Sequence, residues 1–140
     1  MRSRFLMGLA AAGLMVLASP AAAQAETVSA SCSAQSIFGT HTLYAEAYYF
    51  TSGANHVWTD AGFIIGGAHT GGESNVNAGL FVNGAQAWSY NSPDNLQHDT
   101  WYGVGIGATV NAAANEYVNF QGIFDVAGPD PRCNARTPGV

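Results

Sequence analysis

From Glu26 onward, apolar and polar residues alternate at every second position, in short runs separated by clusters of Gly, Asn, Ser and Asp. Period-two alternation with turn signals every few residues is the pattern of half-buried strands in an all-β sandwich or barrel. It predicts strands near 27–34, 40–50, 56–65, 75–82, 85–90, 100–110 and 116–126, with turns at 51–55, 66–72, 83–84, 91–99 and 111–115. No stretch of the mature region keeps a helical period. Asn83-Gly84 is the sharpest local signal, because two residues that tolerate positive φ between alternating segments specify a type I′ hairpin turn. The tail from about 128 (GPDPRCNARTPGV) has no such pattern at first sight and is expected to be irregular.

The hairpin at 83–84 sets a register. A two-residue loop pairs Val82 with Ala85, Leu80 with Ala87 and Ala78 with Ser89 on an apolar face. It pairs Phe81 with Gln86, Gly79 with Trp88 and Asn77 with Tyr90 on the other. The same division follows along the chain. Val118, Phe120, Phe124 and Val126 stand opposite Tyr117, Asn119, Gln121 and Asp125; Leu43, Ala45, Ala47 and Tyr49 stand opposite Tyr44, Glu46 and Tyr48. Val57, Ala61, Phe63 and Ile65 stand opposite His56, Trp58 and Asp60. Tyr102, Val104, Ile106 and Val110 stand opposite Trp101 and a bare row of Gly103, Gly105 and Gly107. All three tryptophans are thus expected on the polar side.

The first 25 residues follow a different rule. Arg2 and Arg4 precede an uncharged apolar run of 14 residues, Phe5 to Ala18, and then small residues that fit a signal-peptidase site before Glu26 or before Gln24. A bilayer span takes about 20 apolar residues, so the run predicts a leader rather than an anchor. Cleavage before Glu26 leaves 115 residues in one expected domain, 26–140. Two basic residues, Arg132 and Arg136, then stand against nine acidic ones, a net charge of −7. That balance argues against nucleic acid and anionic membrane surfaces, where binding depends on neutralising phosphates. The absence of Lys and Arg from 27–131 suits a protease-rich setting or reflects compositional drift. Two cysteines, Cys32 and Cys133, most simply pair with each other in an exported chain. For a closed loop of ~100 residues the chain-entropy model gives about 4.7 kcal/mol.

Candidate chemistry is sparse. No nucleophile elbow, zincin, phosphate-loop or EF-hand motif is present. His56 and Asp60 are expected on one face and His98-Asp99 in a loop, either as acid–base or metal groups or as ordinary surface residues. Glu46 and Asp60 on adjacent strands resemble a carboxylate pair of the glycosidase kind. The oxygen-rich loop 91–99 fits Ca²⁺ ligation less well than it fits turn chemistry.

The expected fold is all-β, a single antiparallel sandwich of about seven strands stapled by one disulfide, in a secreted bacterial protein. Flat rings beside amides offer a sugar its C–H platform and its hydrogen-bond partners. The expected function is therefore recognition, without catalysis or cofactor, of a carbohydrate or cell-envelope polymer. The expected face comprises Trp58, Trp88, Tyr90, Tyr117, Asn77, Asn119, Asp60 and Tyr44. The alternatives are a protein-interaction role (inhibitor, toxin or self-assembling surface protein) and a small hydrolase using Glu46, Asp60 or His56.

Overall fold

The computed structural model describes residues 23–140, so residues 1–22 of the predicted leader lie outside it. The described residues contain no helix. Eight strands form: β1 (Ala25–Ser36), β2 (Gly39–Ser52), β3 (Asn55–Gly67), β4 (Asn75–Val82), β5 (Ala85–Asn91), β6 (Tyr102–Asn111), β7 (Glu116–Ile123) and β8 (Arg132–Arg136). They build two antiparallel sheets of four, ordered β1-β2-β3-β6 and β5-β4-β7-β8. Hairpins join β1 to β2, β2 to β3 and β4 to β5, whereas the segments 68–74, 92–101 and 112–115 cross between the sheets. At the β4–β5 turn Asn83 and Gly84 have φ of 50° and 83°, the mirror-image geometry that matches the twist of the flanking strands.

The core is the inner face of both sheets. Leu43, Ala45, Ala47, Tyr49, Ala61, Phe63 and Ile65 come from the first sheet, and Val76, Ala78, Leu80, Val118, Phe120 and Phe124 come from the second sheet and the residue after β7. Leu96 plugs this core from the 92–101 crossing, and Ser92 in the same segment is buried with its hydroxyl accepting from Val76 N–H at 2.9 Å. The residues of that loop thus serve the crossing itself. On the far side, Cys32 of β1 and Cys133 of β8 form the expected disulfide, with Cα atoms 5.8 Å apart. It joins the edge strand of one sheet to the edge strand of the other.

The tail departs from expectation. Residues 132–136 form β8, paired with β7 from Ile123↔Arg132 to Asn119↔Arg136. Cys133 and Ala135 point inward while Arg132, Asn134 and Arg136 point outward. Pairing continues past the strand, where Thr137 N–H reaches Val118 O and Val140 exchanges two backbone bonds with Glu116. The missed signal is the alternation in Arg132-Cys133-Asn134-Ala135-Arg136-Thr137, hidden between prolines.

Two bulges overturn part of the predicted face assignment. In β3, Thr59 has no partner on β2, because Tyr48 pairs with Asp60 and Tyr49 with Trp58. In β5, Ala87 is the extra residue: Phe81 pairs with Gln86 but Leu80 pairs with Trp88, Gly79 with Ser89, Ala78 with Tyr90 and Asn77 with Asn91. A bulge inserts one unpaired residue and flips every side chain beyond it. His56 and Trp58 therefore turn inward away from Asp60, and Trp88 and Tyr90 also turn inward. Trp58 is fully buried. Trp88 and Tyr90 are half-buried against the core, with Tyr90 6.2 Å from Phe63 of the opposite sheet. Of the three tryptophans, only Trp101 keeps the predicted outward position.

Candidate functional site

The outer face of the second sheet is built from three cross-strand rows. The register aligns Asn91, Asn77, Gln121 and Asn134 in the first row, and Ser89, Gly79, Asn119 and Arg136 in the second. Gln86, Phe81 and Tyr117 form the third. Gly79 stands at the centre. Its missing side chain leaves a shallow hollow of about 190 Å³, whose rim carries amide groups and the Ser89 hydroxyl. A Cβ there would lie 3.1 Å from the Phe81 ring and 3.2 Å from the Gln86 amide nitrogen, so any larger residue would press on both side chains and fill the centre.

One end of the hollow is aromatic. Phe81 and Tyr117 stack with their ring planes parallel to within 6° and their centroids 5.2 Å apart. The Arg136 guanidinium sits 3.6 Å above the Tyr117 ring, a cation–π contact that fixes the ring's position. The floor is neutral: Asn and Gln each offer two donors and an acceptor, and no carboxylate or histidine borders it. Such a surface can satisfy a ligand that presents hydroxyls in many directions.

The eight residues expected to share one site fall into three places. Asn77 and Asn119 line this hollow, and Tyr117 stands just beyond it, stacked on the lining residue Phe81. Trp58, Trp88 and Tyr90 face the interior, as described. Tyr44 and Asp60 lie on the outer face of the first sheet, with Glu46 and Tyr48. Sequence reasoning left Gln86, Ser89, Asn91, Gln121, Asn134 and Arg136 out of the site. Gln121 alternates with Asn119 and was legible, whereas Ser89 and Asn91 reach the face only through the Ala87 bulge, and Asn134 and Arg136 only through β8.

The histidines serve the frame. His41 is fully buried and stacks on Phe124 at 5.3 Å. Its Nδ1 donates to the Ala68 carbonyl at 3.2 Å, which leaves Nε2 to accept the Ser36 hydroxyl at 2.8 Å. His56 Nδ1 contacts the buried Glu116 carboxylate at 3.1 Å. His69 and His98 stack at 5.4 Å, and burial pulls His98 below the ordinary imidazole range. Among the described residues, no three His, Cys, Asp or Glu side chains come together to hold a metal ion. Comparison with protein-family models, with curated proteins and with solved structures finds no match for this chain.

Proposed function

We propose that the protein is exported and binds a carbohydrate or cell-envelope polymer, without catalysis, on the outer face of its second sheet. The observation that carries this reading is the hollow over Gly79, ringed by neutral amides and ended by the Phe81–Tyr117 pair. A sugar ring has an apolar C–H face and a rim of hydroxyls, and the two halves of this surface complement the two halves of that ligand. The Cys32–Cys133 disulfide supports an oxidising compartment, as does the leader-like start of the chain.

Pull-down on insoluble glycans and calorimetry with soluble oligomers test the proposal. The wild type is expected to bind. Tyr117→Ala and Asn77→Ala are each expected to weaken binding about tenfold, ~1.4 kcal/mol. Absence of glycan binding, or undiminished binding by both variants, would remove the proposal. A second reading, docking to another protein, is favoured by Ile37 and Phe38, which are 91% and 53% exposed at the tip of the β1–β2 hairpin. Capture of a protein partner that is lost in Ile37→Ser would move the function there.

A further inference from the structure

The outer face of the first sheet carries a different chemistry. Trp101, just ahead of β6, lays its indole over Gly62. A Cβ on Gly62 would come within 2.2 Å of the ring, so only glycine permits this seat. Directly across from Gly62 in the register stands Glu46, and Tyr44 lies two residues further along β2. The Tyr44 and Trp101 rings are 6.4 Å apart and tilted by 45°. Both are open to water, 41% and 45% exposed. Beside them, nothing lies within 4 Å of where a Cβ would stand on Gly103 or Gly105, so the floor there is bare backbone.

The charge on this face is uncompensated. Tyr44 and Tyr48 both donate their hydroxyls to Glu46. Those bonds hold the Glu46 carboxyl below its usual range and push Tyr48 up to about 12. Asp60 pairs across from Tyr48. Neither carboxylate has a cationic partner among the described residues, where the one acid–base contact is His56 with Glu116. The two arginines of 26–140 project from the outer face of β8, on the other sheet. Ser29, Ser31 and Thr27 stand across β1 from Glu46, Tyr44 and Tyr48 and add hydroxyls to the same surface.

We propose that this Tyr44–Glu46–Trp101 face is a second binding site, for an amino-sugar chain bearing free ammonium groups. Each part of such a chain has a counterpart. The C–H faces of the rings lie on Trp101 and Tyr44, the ammonium meets Glu46 and Asp60 beside aromatic faces that favour cations, and the hydroxyls meet Ser and Thr. The glycine row lets an extended chain lie close to the backbone. The site is separate from the second-sheet hollow and does not depend on it.

Fluorescence titration with a glucosamine hexamer, at a pH where its amines are protonated, tests the proposal against the fully N-acetylated hexamer and a hexalysine peptide. The amine form is expected to bind saturably and to change tryptophan emission. The acetylated form and hexalysine are expected to bind at least about tenfold more weakly. Glu46→Gln and Trp101→Ala should each lose the amine form by about the same factor, and Tyr117→Ala should leave it unchanged. Glu46→Gln keeps acceptor oxygen for the tyrosines on an exposed face, so its effect reads charge rather than folding. No binding, equal binding of both hexamers, hexalysine binding as tightly, or loss in Tyr117→Ala but not in Glu46→Gln would each overturn the proposal. Failure of the second-sheet reading shows separately, as acetylated-hexamer binding that ignores Tyr117→Ala.

Discussion

Glu116 is a carboxylate with no exposure at all, at the start of β7. A buried charge persists when its hydrogen bonds are filled, and here both oxygens are used. One accepts the indole N–H of Trp58 and the other accepts from His56. All three side chains reach across the sandwich, from β3 to β7, so the cluster ties one sheet to the other. It also accounts for an indole in the interior, since a buried Trp N–H needs an acceptor. No local pattern announces this, because the acceptor lies 58 residues away in the chain. Replacing Glu116 by Leu strands the buried Trp58 donor and should cost about 3 kcal/mol of stability. Trp58→Phe strands a carboxylate oxygen and opens space as well. The double variant should cost less than the sum of the two by at least ~0.5 kcal/mol. Chemical denaturation followed by circular dichroism measures all three, and strict additivity would mean that the contact contributes nothing.

Strands and turns were largely legible because alternation and turn chemistry are local. The seven predicted strands match β1–β7 to within a few residues at most ends. The faces of β2, β6 and β7 also follow from alternation alone, which is why Asn119 and Tyr117 were placed correctly. Faces fail where a bulge intervenes. Thr59 and Ala87 look like any other strand residue, and the cost of inserting one of them is settled by what the flipped side chains gain: Trp58 finds Glu116, and Trp88 and Tyr90 find the core. Deleting Ala87 tests this logic. Without the extra residue, Trp88 follows Gln86 directly, and the regular two-residue hairpin pairs Leu80 with Trp88, Gly79 with Ser89 and Ala78 with Tyr90, as the bulged strand already does. The expected result is that Trp88 and Tyr90 keep their inward face, with tryptophan emission unchanged and stability altered by no more than about 1 kcal/mol. A red shift in emission would show that Ala87 is not simply an unpaired insertion and that the rings depend on it for their face.

At the scale of the whole molecule, β1 and β8 are edge strands with one hydrogen-bonded neighbour each, and the disulfide between them closes that side. β8 has five residues and pairs only with β7. Between Glu26 and Val140 the bonds open to trypsin follow Arg132 and Arg136, both on β8. The protease therefore reports the attachment of one strand and nothing else. With the bridge intact, β8 stays paired and its backbone is out of reach of the protease. In the Cys32→Ser/Cys133→Ser variant the loop constraint of about 4.7 kcal/mol is gone, and opening of the last strand becomes a local event with a low free energy. Cleavage after Arg132 should then run at least about tenfold faster, and the segment from Glu26 to Arg132 should survive as one piece. In the oxidised protein a rare cut at Arg132 leaves the piece that starts at Cys133 attached until reductant is added, so mass analysis with and without reductant separates the two cases. Equal cleavage rates would show that pairing with β7, continued by Thr137 and Val140, holds β8 without the disulfide.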